Sequence, residues 1–126
     1  MALKQIYPKR PVIAISGDGD FLMSGQEFVT AAQYGLPIIS LVLDNGMYGS
    51  IRLHQERAYP GRVSGTMLQN PDFAAWARSC GGFGVTVTRT EDFAPAFRAA
   101  EASGLPALVH VKYDPEGVAP GVTLSA

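Results

Sequence analysis

The chain has 126 residues, a length for one domain and not two. Apolar residues make up 47% and charged residues 17%, which excludes a disordered chain and favours a buried core. Ten basic against eleven acidic side chains leave a net charge of −1, so no basic excess points to nucleic acid or an anionic membrane, and the single Cys80 excludes a disulfide framework or a cysteine-rich zinc site and suits a reducing cytoplasm.

Leu3 to Tyr7 reads as the last turn of a helix stopped by Pro8. A helix at the first residues implies an upstream part that the chain does not carry. Nothing in Met1 to Ile6 has a signal-peptide pattern. Pro11 to Ser16, centred on Val12-Ile13-Ala14-Ile15, is a short run with branched residues, read as a strand covered on both faces. Gly17-Asp18-Gly19-Asp20 breaks it. Ser24 is then placed to cap a helix, with Glu27 completing a capping box. Phe28, Val29, Ala32 and Leu36 form its apolar stripe, and Gly35 and Pro37 end it.

Pro37 to Asp44 is a second buried strand, broken by Asn45-Gly46. Its apolar core, like that of the first strand, is far too short to span a bilayer. Met47 to Glu56 reads as a loop turning into a helix, and Tyr59 to Gln69 as irregular. Asn70-Pro71 reads as a cap with proline in the first helical turn. Phe73, Trp76, Ala77 and Cys80 then share one face, with Cys80 a buried thiol. Phe83 to Thr88 is a third strand. Thr90 caps a helix bearing Phe93, Phe97 and Ala100, and Pro95 is tolerable near its start. Pro106 to Tyr113 is the fourth strand, with His110 a structural residue, and residues 114–126 read as a loose tail. Buried strands alternating with amphipathic helices argue for an α/β fold, a parallel sheet with helices on both faces.

Ligands of open parallel sheets sit at the carboxyl ends of the strands. Two glycine-flanked turns lie there, Gly17-Asp18-Gly19 and Asp44-Asn45-Gly46. Gly-Asp-Gly alone is commonly a surface turn, but the pair, each ending a buried strand, brings Asp18 and Asn45 to one edge of the sheet. A carboxylate, an amide oxygen and a backbone carbonyl after Asn45 are hard donors that suit Mg²⁺ rather than zinc. Mg²⁺ held by one carboxylate takes its remaining ligands from water and phosphate. The site therefore calls for a phosphate-bearing ligand, which Gly17, Gly19, Gly46 and Gly49 leave the backbone free to approach. A dinucleotide fingerprint fails because position 22 is Leu, and a calcium hand lacks its acidic ladder.

Gly17-Asp18-Gly19, with Asn45 27 positions after the aspartate, resembles the thiamine diphosphate and Mg²⁺ motif of the acetolactate synthase and pyruvate decarboxylase superfamily. The resemblance is to the C-terminal cofactor-binding domain and runs from Ile6 into the tail, including Asp114-Pro115-Glu116 and Thr123-Leu124-Ser125. It implies that Asp18 and Asn45 bind Mg²⁺ through side chains and Met47 through its backbone oxygen. Gly17, Gly19, Asp20, Tyr48 and Gly49 would approach the diphosphate. It implies a parent enzyme acting on 2-keto acids by decarboxylation or carboligation, as a homo-oligomer. Such enzymes also carry a pyrimidine-binding domain with a catalytic Glu. No catalytic residue is assigned within this chain, and the isolated chain is expected to be inactive.

Position 44 is Asp where the motif has a first Asn, and Asp20 stands where relatives carry a small or hydroxyl residue. Gly49-Ser50-Ile51-Arg52-Leu53-His54 replaces the Gly-Met-Val-x-Gln-Trp of acetohydroxyacid synthases. His54, Gln55 and Arg57 are candidates to face substrate or a neighbouring subunit, against solvent-exposed helix positions. Arg52, Arg57 and Arg62 read as a solvated face rather than an anion patch. Two other readings stand beside this one. One is a non-catalytic interaction module of the same fold. The other is a phosphate-handling receiver-like domain, in which Asp18, Asp20 and Asp44 form an acidic cluster with Lys112.

Overall fold

The computed structural model describes residues 1–119 and 122–123, with side chains up to residue 117. A short helix α1 (Ala2–Ile6) leads to strand β1 (Ile13–Gly17). Helices α2 (Asp18–Ser24) and α3 (Glu27–Gln33) follow, then β2 (Ile39–Asp44) and α4 (Gly49–Ala58). The chain continues through α5 (Phe73–Ser79), β3 (Phe83–Val87), α6 (Thr90–Ala102) and β4 (Ala107–Lys112). These four strands form one all-parallel sheet in the order β1-β2-β4-β3. The expected α/β architecture is present.

Each face of the sheet has its own core. On one, Ile39, Leu41, Ala107 and Val109 meet Ala96 and Ala100 of α6, with Phe93 and Phe97 packed alongside. On the other, Val42 and Leu108 meet Phe28 of α3 and Phe73 and Ala77 of α5, with Trp76 and Cys80 at the margin. Cys80 is half-buried rather than buried. Full burial of a side chain such as Leu108 or Phe73 contributes roughly 1.5–3 kcal/mol. The α6 core is centred on β4 and does not extend to β1. Ile13 and Ile15 therefore stay 45% and 68% exposed. The expectation that β1 is covered on both faces fails here because β1 is an edge strand.

Three helix starts differ from those expected. Asp18 itself opens α2, and Ser24 is that helix's last residue rather than a cap. Gly17 N–H is satisfied instead by Asp20 Oδ2 at 3.3 Å, so the carboxylate in the first turn closes the helix end. The buried positions of α3 are Phe28 and Ala31, while Val29 faces outward, because the helix turns Phe28 onto the core of Val42, Phe73 and Leu108. Thr90 is the first residue of α6, after Arg89, and makes no capping bond. In the tail, β5 (Gly117–Ala119) and β6 (Val122–Thr123) pair antiparallel. Residues 120–121 and 124–126 of the tail, including Leu124-Ser125, lie outside the described residues. Among the described residues no helix is long and apolar enough to cross a membrane.

Candidate functional site

β1 and β2 are direct neighbours, and Gly17 pairs with Leu43. The next residues, Asp18 and Asp44, therefore emerge side by side at the carboxyl end of the sheet. Both are buried, at 3% and 7% exposure. Their carboxylates share two donors. Gly46 N–H lies 3.0 Å from Asp18 Oδ2 and 2.9 Å from Asp44 Oδ1. Asn70 Nδ2 lies 2.6 Å and 2.7 Å from the same two oxygens. Asp18 Oδ1 accepts from Gly19 N–H at 2.9 Å. Asp44 Oδ2 is 2.7 Å from Nε2 of His110, itself buried in β4.

Gly46 takes φ +72, a conformation that lets its N–H turn back between the carboxylates and that a side chain would strain. After it, Tyr48 N–H donates to Thr66 O and Leu68 N–H to Gly46 O, both at 2.8 Å, which ties the turn to the loop of residues 59–69. Gly19 lies under the Tyr48 ring, where a Cβ would overlap ring carbons. Burial pushes the Asp18 carboxyl above the ordinary aspartate range. The facing Asp44 adds to this, against the opposing bonds from Asn70 and Gly19. Burial also acts upward on Asp44, but the hydrogen bonds from His110, Asn70 and Gly46 outweigh it and hold that carboxyl low.

An open cleft of about 340 Å³ lies over these strand ends. Its lining includes Gly17, Asp18, Gly19, Asp20, Asn45, Met47, Tyr48 and Gly49, together with Ser50 and Ile51 from the first turn of α4. The structure thus brings Gly17, Asp18, Gly19, Asp20, Asn45, Met47, Tyr48 and Gly49 to one cavity, while Asp44 and Gly46 stand behind its lining. Asp20 is exposed at its rim, with one carboxylate oxygen turned back to Gly17 N–H.

The donors fit a hard cation. Among the described residues Asn45 Oδ1 accepts only a long bond from Met47 N–H, 3.3 Å, and Met47 O accepts from Gly49 N–H at 3.0 Å. Asp18 Oδ1 has the single bond from Gly19. Each of these oxygens keeps a lone pair for a metal. Among the described residues no three His, Cys, Asp or Glu side chains are grouped to hold an ion. A cation here must therefore draw on amide, carbonyl and ligand oxygens, as Mg²⁺ with a phosphate does.

Other candidates lie elsewhere. His54 is exposed, and Gln55 binds the backbone of Ser64 through both amide atoms, at 2.9 and 3.0 Å, so it anchors a loop. Sequence reasoning missed Asn70 and His110. Asn70 read as a helix cap, but Asp72 caps α5, accepting from Ala75 N–H at 2.9 Å. His110 read as a structural strand residue, which its burial fits, but its link to Asp44 was not foreseen.

A parallel α/β sheet with paired acidic and amide turns at its carboxyl edge, and glycines opening the backbone there, defines a phosphate-cofactor-binding domain. The chain belongs to the thiamine pyrophosphate enzyme C-terminal TPP-binding domain family, which it matches over residues 1–111. It is 43% identical over 115 residues to YdaP of Bacillus subtilis, whose name assigns it thiamine pyrophosphate, covering 90% of this chain and 20% of that protein. It is 40% identical over 98 residues to the acetolactate synthase large subunit of Corynebacterium glutamicum, covering 74% and 16%. Among solved structures, the thiamine diphosphate-dependent 4-hydroxybenzoylformate decarboxylase of Rhodococcus jostii RHA1 superposes with a TM-score of 0.81 at 32% identity, over 88% of this chain and 21% of that one. The chain thus spans about a fifth of the length of these relatives. The family match displaces the receiver-like reading.

Proposed function

We propose that the cleft binds the diphosphate end of thiamine diphosphate through Mg²⁺, as one part of a larger enzyme acting on 2-keto acids. The observation that carries this reading is the meeting of Asp18, Asn45 and the first turn of α4 around one cleft at the ends of two neighbouring strands. Asp18 and Asn45 would hold the metal through side-chain oxygens and Met47 through its carbonyl. Gly17, Gly19, Asp20, Tyr48 and Gly49 would border the phosphates. The ten-residue α4 adds unpaired N–H groups and the positive end of its dipole, which favour an anion.

When bound, thiamine diphosphate supplies the electron sink that lets a 2-keto acid lose carbon dioxide. The residues here anchor and orient it. The reaction's proton-handling group and the contacts to the pyrimidine end are assigned to other parts of a parent enzyme, including a pyrimidine-binding domain. The relatives include both a synthase and a decarboxylase. Gly49 to His54 departs from the acetohydroxyacid synthase stretch, and the parent is an acetolactate synthase-like enzyme that works by decarboxylation or carboligation.

Calorimetric titration tests this. Thiamine diphosphate should bind the chain more tightly with Mg²⁺ than without, and Asp18→Ala or Asn45→Ala should remove the difference. Equal affinity with and without Mg²⁺ in the unaltered chain would overturn the reading. The chain alone should release no carbon dioxide from pyruvate.

A further inference from the structure

We propose that Asn70 is a positioning residue of this cleft: its side-chain amide clamps the carboxylates of Asp18 and Asp44 together, so that Asp18 keeps one oxygen turned to a divalent cation. The proposal rests on the metal reading above and extends it to a residue outside both turns.

The geometry is specific. Asn70 Nδ2 stands 2.6 Å from Asp18 Oδ2 and 2.7 Å from Asp44 Oδ1. An amide nitrogen carries two hydrogens, one for each carboxylate. The flipped amide would set an oxygen against two carboxylate oxygens, so the network fixes its orientation. The amide's own oxygen is buried with no partner among the described residues. A native structure that tolerates such an orphan retains the group for its other half, here the donors.

Among the described residues, one other donor, Gly46 N–H, bridges the same two oxygens. Without Asn70 a single N–H would face two negative oxygens in a desolvated place. The two like charges would move apart, and that shift spoils Asp18 as a ligand. Helix initiation does not account for Asn70, because Asp72 performs that task for α5. His110 anchors the far side of the clamp at Asp44 Oδ2, so the linkage runs from β4 through Asp44 and Asn70 to Asp18. Partners that orient metal ligands in this way typically change metal affinity by about 10–100-fold when removed.

The test is a calorimetric titration of the full chain with Mg²⁺ at saturating thiamine diphosphate, with circular dichroism and thermal melting of every variant. Asn70→Ala is expected to weaken Mg²⁺ binding by about 10–100-fold while the fold is retained. Adding Asp44→Asn to Asn70→Ala should recover most of the loss, since one charge of the facing pair is gone. A merely structural Asn70 would lower the melting temperature without this recovery. Should Asn70→Ala not fold, Asn70→Ser, whose single hydroxyl donor serves one carboxylate only, is read by the same criteria. Unaltered chain showing Mg²⁺-dependent binding, with the variant within twofold of it, would overturn the clamp alone. A double variant as weak as Asn70→Ala would also overturn it. Unaltered chain with no Mg²⁺ dependence would overturn the functional reading first, and the clamp with it.

Discussion

Nε2 of His110, near the end of β4, lies 2.7 Å from Oδ2 of Asp44, the last residue of β2. His110 is 1% exposed, and the ring of Phe73 stands edge-on to it with centroids 5.1 Å apart. Facing an ionised carboxylate, Nε2 is the donor. His110→Leu keeps much of the volume and removes that donor. We expect a loss of about 1–3 kcal/mol in urea unfolding, the cost of a buried acceptor left unpaired. Asp44→Asn with His110→Leu should lose less than the sum of the two single changes, because the partners are in direct contact.

Gly19 and Tyr48 make a second pair. A Cβ at Gly19 would enter the Tyr48 ring. Gly19→Ala should therefore destabilise the chain by about 1–3 kcal/mol, the usual cost of overpacking. It should also push the ring toward the cleft and weaken cofactor binding. Tyr48→Ala removes the obstruction, so the double variant should regain stability relative to Gly19→Ala. Chemical denaturation of the four proteins in the cycle measures this.

Asp72 couples the start of α5 to pH. The Ala75 N–H bonded to its carboxylate holds that carboxyl below the ordinary range. A carboxyl depressed in the folded state adds stability that is complete above its unfolded pKa, about 3.9. That stability is lost as pH falls through the lower folded value. Asp72→Asn keeps a capping oxygen without a titrating group. Its thermal stability should fall less steeply between pH 5 and the acid limit than that of the unaltered chain, on the order of the window just named.

Ile13 and Ile15 lie on the outer face of the edge strand β1, with Leu43 of β2 37% exposed on the same side. Side by side, such residues form an apolar patch with an open strand edge beside it. The chain in isolation should self-associate, with a weight-average mass that rises with concentration in sedimentation experiments. Ile15→Lys should suppress that rise. A single small species at every concentration, for the unaltered chain, would count against an exposed sticky edge.

Much of this was legible in the residues. Four short apolar runs separated by amphipathic stretches specify parallel strands and crossover helices, because period and length are local properties. Gly17-Asp18-Gly19 and Asn45-Gly46 mark the strand ends, since the apolar run stops there and glycine favours a turn. Helix starts were less legible. Ser24, Asn70 and Thr90 are all competent caps by type, yet none caps in the fold. A capping side chain is one use among several for a hydrogen-bonding group, and the buried carboxylates of Asp18 and Asp44 take Asn70 instead.

From residue order alone, the α/β class, the glycine-opened turns and the hard-oxygen character of the cleft were determined, because each depends on neighbours within a few positions. Tertiary structure alone decided that Asn70, 52 residues from Asp18, clamps it to Asp44, and that His110 stands behind Asp44. It also decided that β1 is an edge with bare isoleucines. The physical reason is common to all three. Desolvated carboxylates recruit whatever donors the packed chain brings within 3 Å or so, about the length of a hydrogen bond. Which donors those are, and which strand faces are covered, follows from packing across the sheet and not from spacing along the chain.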